Sequence, residues 1–225
     1  MRTAVPPAPI WHTALLIATI VGVAIVGSAL SATGTAPPPP ADASSRLTTV
    51  YVPMLLVQWG LVLYVCRIGR TRGVFRELVG RTWDGPARAA IDVALAVTTA
   101  FWIIAVNVAY THLLGGDQGA SAAAVLPQTR VERAAWVVVA LSTGFCEEVV
   151  YRGYLRTALW GLSGSVTFGV MAQGALFGLA HVDQGFRAAI AIAFYGVLLG
   201  AVAQFRGSLV AGILCHALVD LLSGF

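Results

Sequence analysis

The chain has 225 residues, 58% of them hydrophobic and only 11% charged, and its mean hydropathy is +0.81. A soluble globular domain carries about 25% charged residues, so this composition excludes a soluble domain and points to a membrane protein. The 14 basic residues outnumber the 10 acidic ones and are all arginines. Many of them gather in one loop beside apolar segments, which fits membrane orientation rather than nucleic-acid binding.

A helix needs about 20 apolar residues to cross the hydrocarbon. On that criterion the sequence predicts spans near 11–30, 49–66, 89–113, 134–159, 164–181, 187–204 and 208–224. The expected fold is an all-α polytopic transmembrane helix bundle of about seven spans, with six and eight as the alternative counts. The first span has Arg2 before it and small residues after it, like a signal peptide. Its apolar stretch exceeds the usual 7–15 residues, so it is expected to stay as an uncleaved helix. The segment SATGTAPPPPADASS follows. Four consecutive prolines cannot continue a helix, so 1–48 is expected to be an N-terminal transmembrane helix plus an extended linker.

Residues 49–133 hold two predicted spans joined by an arginine-rich loop with Arg67, Arg70, Arg72, Arg76, Arg81 and Arg88. The positive-inside rule makes this loop cytoplasmic, and the N-terminus with it. Phe75 and Trp83 suit a helix lying at the interface, and Asp92, near the start of the third span, is expected to face that interface. Cys66, Cys146 and Cys215 are far apart in apolar stretches with no C-x-x-C spacing, which argues against a disulfide framework. Further on, Gly174 and Gly178, then Gly196 and Gly200, form two G-x-x-x-G patterns that let helix backbones approach closely. No internal repeat of the transporter kind is visible.

The fourth span contains GFCEEVVYRGYL, residues 144–155. A charge at the centre of a spanning helix costs about 2.5–3.5 kcal/mol on the lenient insertion scale, so these charges need partners or a function. Glu148 and Arg152 stand at i,i+4 and share a face. Phe177 precedes His181 by four, which places an aromatic beside the imidazole, and Asp220 follows His216 by four, where it is expected to hold that ring in one orientation. Turns are expected at residues 161–164 and at Arg206–Gly207. At 1.5 Å per residue, Glu147 and His181 then lie on the order of 20–26 Å from the first turn, at similar depth. Two glutamates and two histidines from three helices can therefore converge. Glu147 has no partner on its own helix. A carboxylate so placed is suited to general-base work.

Each residue also has a plainer reading. A Glu–Arg pair can simply stabilise packing, and a lone intramembrane histidine is often an interhelical hydrogen bond. Gln58, Asn107 and Gln173 read most simply as interhelical glue, and Cys146 and Cys215 as small packing residues. The argument rests on the set.

That set, E-E-x-x-x-R (Glu147, Glu148, Arg152), F-x-x-x-H (Phe177, His181) and H-x-x-x-D (His216, Asp220), resembles the CAAX protease and bacteriocin-processing family of intramembrane endopeptidases, related to the CAAX prenyl endopeptidase. The resemblance covers about 134–225, expected to be a catalytic four-helix core. It implies hydrolysis of a peptide bond in a membrane-associated protein or peptide. Glu147 and His181 would hold and activate the water. His216 and Asp220 would stabilise the tetrahedral intermediate or orient the site, with Glu148, Arg152 and Phe177 in support. The family's last motif ends in Asn or Asp, and Asp in that place would repel an oxyanion that an amide would serve. Whether zinc takes part stays open. Glu147, His181 and His216 are the ligands if it does, and a metal-free glutamate-activated water is the favoured alternative because Arg152 brings a cation close. The expected partners are a peptide or protein substrate and the bilayer, with no nucleic acid, and the expected location is the plasma membrane of a bacterium. A proton-coupled transporter or a non-enzymatic scaffold or immunity protein is the competing reading.

Overall fold

The computed structural model describes residues 6–32, 46–114 and 125–225. All but the first two residues of the proline-rich linker lie outside the described residues. Helix α1 (Ile10–Ala32) turns Thr13, Leu16, Ile20 and Ala24 inward on one stripe and leaves Ile10, Trp11, Val23, Ile25 and Val26 exposed. An outer face of this kind suits lipid. Helix α2 (Leu47–Thr71) opens with a π turn at Leu47–Tyr51. The short α3 (Phe75–Val79) then leads to α4 (Pro86–Leu114), whose proline stands at the first helical position, where a missing N–H costs nothing.

Helix α5 (Arg130–Ser163) has 34 residues, about 51 Å of length. It starts on a capping box: the Thr129 hydroxyl accepts from the Glu132 N–H, and the Glu132 carboxylate accepts from the Thr129 N–H. That same carboxylate is paired with Arg46 at 3.1 Å, and both residues are buried. The starts of α2 and α5 are thus tied together by a charge pair that helical periodicity does not announce. Within α5, residues Glu148–Leu155 form a π-helix, whereas the sequence suggested an uninterrupted α-helix.

Gly164, with φ +70°, ends α5 in a left-handed turn, and Ser165 caps the next helix by accepting from the Phe168 N–H. Helix α6 (Val166–Leu179), a short 3-10 turn at Val182–Gln184, α7 (Phe186–Arg206) and α8 (Val210–Ser223) follow. Both expected turns are present. Five helices, α1, α2, α4, α5 and α7, are long and apolar enough to cross a membrane. Helices α6 and α8 have 14 residues each, about 21 Å, which is short of the ≈ 30 Å hydrocarbon. The bundle is all-α; among the described residues the one β-type pairing is the isolated bridge Gly80–Ser208.

The glycine patterns act as predicted, by letting backbones touch. A Cβ at Gly174 would stand 2.7 Å from the Val197 backbone nitrogen, and one at Gly196 would stand 2.9 Å from Gly174 Cα. This joins α6 to α7. Helix α8 packs on α5 by the same means, since a Cβ at Gly144 would meet the Ala217 nitrogen at 2.7 Å. The arginine-rich loop is packed into the bundle rather than laid on it. Leu78 is buried in the main core, its carbonyl oxygen lies 2.8 Å from where a Gly153 Cβ would be, and Arg81 N–H donates to the Gly207 carbonyl. Asp92 is buried, accepting from Trp83 Nε1 at 3.1 Å and pairing with Arg206 at 2.6 Å. Its expected place at the interface becomes a clamp between α4 and α7.

Candidate active site

Two of the three charged residues of GFCEEVVYRGYL, Glu148 and Arg152, fall in the π segment and Glu147 stands immediately before it; every residue from Glu148 to Leu155 is buried. π turns inserted in α-helices are frequent at functional sites. Here the widened turn directs Glu148 and Arg152 into the bundle. Their side chains are fully buried and 3.2 Å apart. The Arg152 guanidinium also lies 4.1 Å from the centre of the Phe177 ring and 5.9 Å from that of Tyr151, so its positive charge is met by one carboxylate and two aromatic faces.

Glu148 does more than neutralise that arginine. Its Oε1 is 3.1 Å from His216 Nδ1, and since a carboxylate can only accept, Nδ1–H is the donor. The imidazole is thereby fixed with Nε2 turned toward the other two acids, Glu147 Oε2 at 3.6 Å and Asp220 Oδ2 at 3.8 Å. Both separations are too long for direct hydrogen bonds, so Nε2 faces the two acids without being bound by either. The spacing of H-x-x-x-D suggested Asp220 as the group that orients the ring. The shorter contact is with Glu148. It is made possible by Gly212, whose Cβ, if present, would lie 2.6 Å from Glu148 Oε2.

Glu147 is oriented from a different helix. Its Oε1 accepts from Gln58 Nε2 at 3.3 Å, whereas its Oε2 is buried with no hydrogen-bond partner among the described residues. His181 lies just past the end of α6 rather than inside a span. Its Nδ1 is 2.8 Å from the Phe177 carbonyl oxygen, which again makes Nδ1–H the donor and leaves Nε2 with its lone pair. Phe177 stands between the two imidazoles, with ring centroids 4.9 Å from His181 and 5.8 Å from His216. Tyr151, which no sequence motif singled out, closes the cluster edge-on to Phe177 at 5.0 Å.

Six of the seven predicted residues, Glu147, Glu148, Arg152, Phe177, His216 and Asp220, are linked by these contacts, and His181 joins through Phe177. The ligand set named for zinc is not gathered in this way. Among the described residues no group of three His, Cys, Asp or Glu side chains is arranged to hold a metal ion. His216 Nδ1 is committed to Glu148 and His181 Nδ1 to the Phe177 carbonyl, so each ring presents only its Nε2.

A helical membrane bundle with a buried cluster of carboxylates, imidazoles and one guanidinium defines the class. Residues 129–222 match the family model described as Rce1-like, type II CAAX prenyl endopeptidase, so this segment carries the CAAX-protease pattern that the three motifs resemble. No curated protein and no solved structure matches the chain. At the level of the family, the match supports an intramembrane endopeptidase.

Proposed function

We propose that the protein is an integral membrane endopeptidase that hydrolyses a peptide bond of a membrane-associated protein or peptide, with Glu147 as the base that activates water. The observation that carries this reading is Glu147 Oε2. It is a buried carboxylate oxygen without a hydrogen-bond partner among the described residues, facing His216 Nε2 at 3.6 Å. A water held there loses a proton to Glu147 as its oxygen attacks the scissile carbonyl. His181, with Nδ1–H bound to backbone, offers its Nε2 lone pair to the same water. Glu148 and Arg152 hold the His216 ring, which faces the developing oxyanion when Nε2 carries a proton. Asp220, at 3.8 Å from that nitrogen, partners the imidazole rather than the oxyanion, in keeping with its negative charge.

Among the described residues no three His, Cys, Asp or Glu side chains are arranged to hold a metal ion, and each step is assigned to the protein's own groups. The site belongs to the cytoplasmic half of the membrane, because the arginine-rich loop packs on Gly153, five residues from Glu148, and the positive-inside rule places that loop in the cytoplasm. Comparison of membrane proteomes from cells carrying the wild-type protein and Glu147→Gln tests the reading. Glu147→Gln and His181→Ala are expected to abolish processing and leave uncleaved substrate in the membrane, with both variants still folded. Unchanged processing in Glu147→Gln would remove the assignment and favour a scaffold.

A further inference from the structure

The segment that matches the family begins at residue 129, yet the side chain that touches the proposed base comes from outside it. We propose that Gln58, on α2, is a positioning residue for Glu147, so that the N-terminal half of the chain completes the active site. The inference rests on Glu147 being the base.

The geometry is specific. Gln58 Nε2 is 3.1 Å from Thr143 Oγ1, and Thr143 Oγ1 is 3.2 Å from Gln58 Oε1. A single hydroxyl therefore engages both ends of the amide and fixes its plane. Thr143 is four residues before Glu147, one turn away on the same helix, so clamp and base move together. The remaining Nε2 hydrogen is then directed at Glu147 Oε1, 3.3 Å away. Only one carboxylate oxygen is engaged, and the other is left to the reacting centre. Packing holds the two helices in register beside this contact, with Trp59 stacked on Phe145 at 5.7 Å between ring centroids. A glutamine that reads as general helix–helix glue thus selects which oxygen of Glu147 faces His216.

The role predicts effects that simple packing does not. Gln58→Met keeps length and apolar volume and removes the N–H donor. Infrared difference spectra of purified protein in lipid nanodiscs identify the Glu147 carboxylate band as the one lost in Glu147→Gln. In Gln58→Met that band is expected to shift. With the membrane substrate that accumulates uncleaved in Glu147→Gln cells, kcat should fall about 10- to 100-fold, the loss that follows removal of an outer partner that orients a metal ligand. KM should stay within about twofold. If Gln58→Met fails to give folded protein, Thr143→Val, which frees the amide, carries the same test, and Thr143→Ser should recover most of the loss. An unmoved carboxylate band in the folded variant overturns the inference even when Glu147→Gln is inactive. Processing retained in Glu147→Gln removes the proposed function instead, and leaves the band shift standing.

Discussion

Arg152→Met removes the guanidinium and keeps an unbranched side chain in its place. Glu148 and Arg152 are both fully buried and 3.2 Å apart, and removing one member of a buried pair costs about 3–5 kcal/mol because the other charge stays desolvated. Two structural facts set the magnitude within that range. Glu148 keeps the His216 Nδ1 hydrogen bond at 3.1 Å, which lowers the cost. Arg152 also lies over the Phe177 ring at 4.1 Å, and losing that contact adds about 0.5–2 kcal/mol. A net loss of about 3–5 kcal/mol is therefore expected, or roughly 6–20 °C in Tm for a chain of this size. Glu148→Gln/Arg152→Met removes both charges, and replacing both members of a buried pair is often neutral. The double variant should melt higher than Arg152→Met, yet lose most of its activity, because a neutral amide oxygen replaces the charged acceptor that holds the His216 ring. Thermal unfolding in detergent, followed by tryptophan fluorescence, together with cleavage of membrane substrate, reads both quantities. A double variant no more stable than Arg152→Met would refute the view of these two residues as a mutually neutralising brace.

Gly212→Ala is expected to cost activity through Glu148. The added Cβ would fall 2.6 Å from Glu148 Oε2, and overpacking of this sort costs about 1–3 kcal/mol. Gly22→Ala, at a mid-helix glycine of α1 with nothing within 4 Å, is the control and should be no less stable than wild type, since Ala is favoured over Gly in a helix interior by about 0.5–1 kcal/mol. Equal melting temperatures and equal cleavage in the two variants would show that Glu148 is not held against α8. For the metal, elemental analysis of purified active protein is expected to find far less than one zinc per chain, with cleavage surviving a chelator. Stoichiometric zinc whose removal stops cleavage would return Glu147, His181 and His216 to the role of ligands.

The sequence carried the helices and their order because long apolar runs leave no other solution in lipid, where every backbone polar group must be satisfied internally. It carried the i,i+4 pairs for a similar reason: periodicity within one helix is local. The π segment was hidden, since EVVYRGYL has no proline and nothing in its pattern marks an extra residue per turn. Its presence follows from packing, where the Leu78 carbonyl presses against Gly153 and Glu148 fits above Gly212. The lengths of α6 and α8 were also overestimated from hydropathy, which registers apolar residues but not where a helix stops. Helix α6 stops at Leu179, and His181 just beyond it donates Nδ1–H to the Phe177 carbonyl.

Contacts between helices far apart in sequence were the least legible. Gln58 and Glu147 are 89 residues apart, and Arg46 and Glu132 are paired across a similar distance. Gln58 and Glu147 each read alone as a costly polar group in an apolar setting, and Arg46 and Glu132 as ordinary charges just outside the predicted spans. A polar residue in a span announces that a partner exists without saying where. Two such partners, Gln58 for Glu147 and Glu148 for His216, are what turn the motif residues into an oriented site. Neither partnership follows from spacing along one helix. Glu148 therefore serves two helices at once, bracing Arg152 within α5 and His216 across to α8. Its substitution should be felt more in catalysis than the pairing with Arg152 alone suggests.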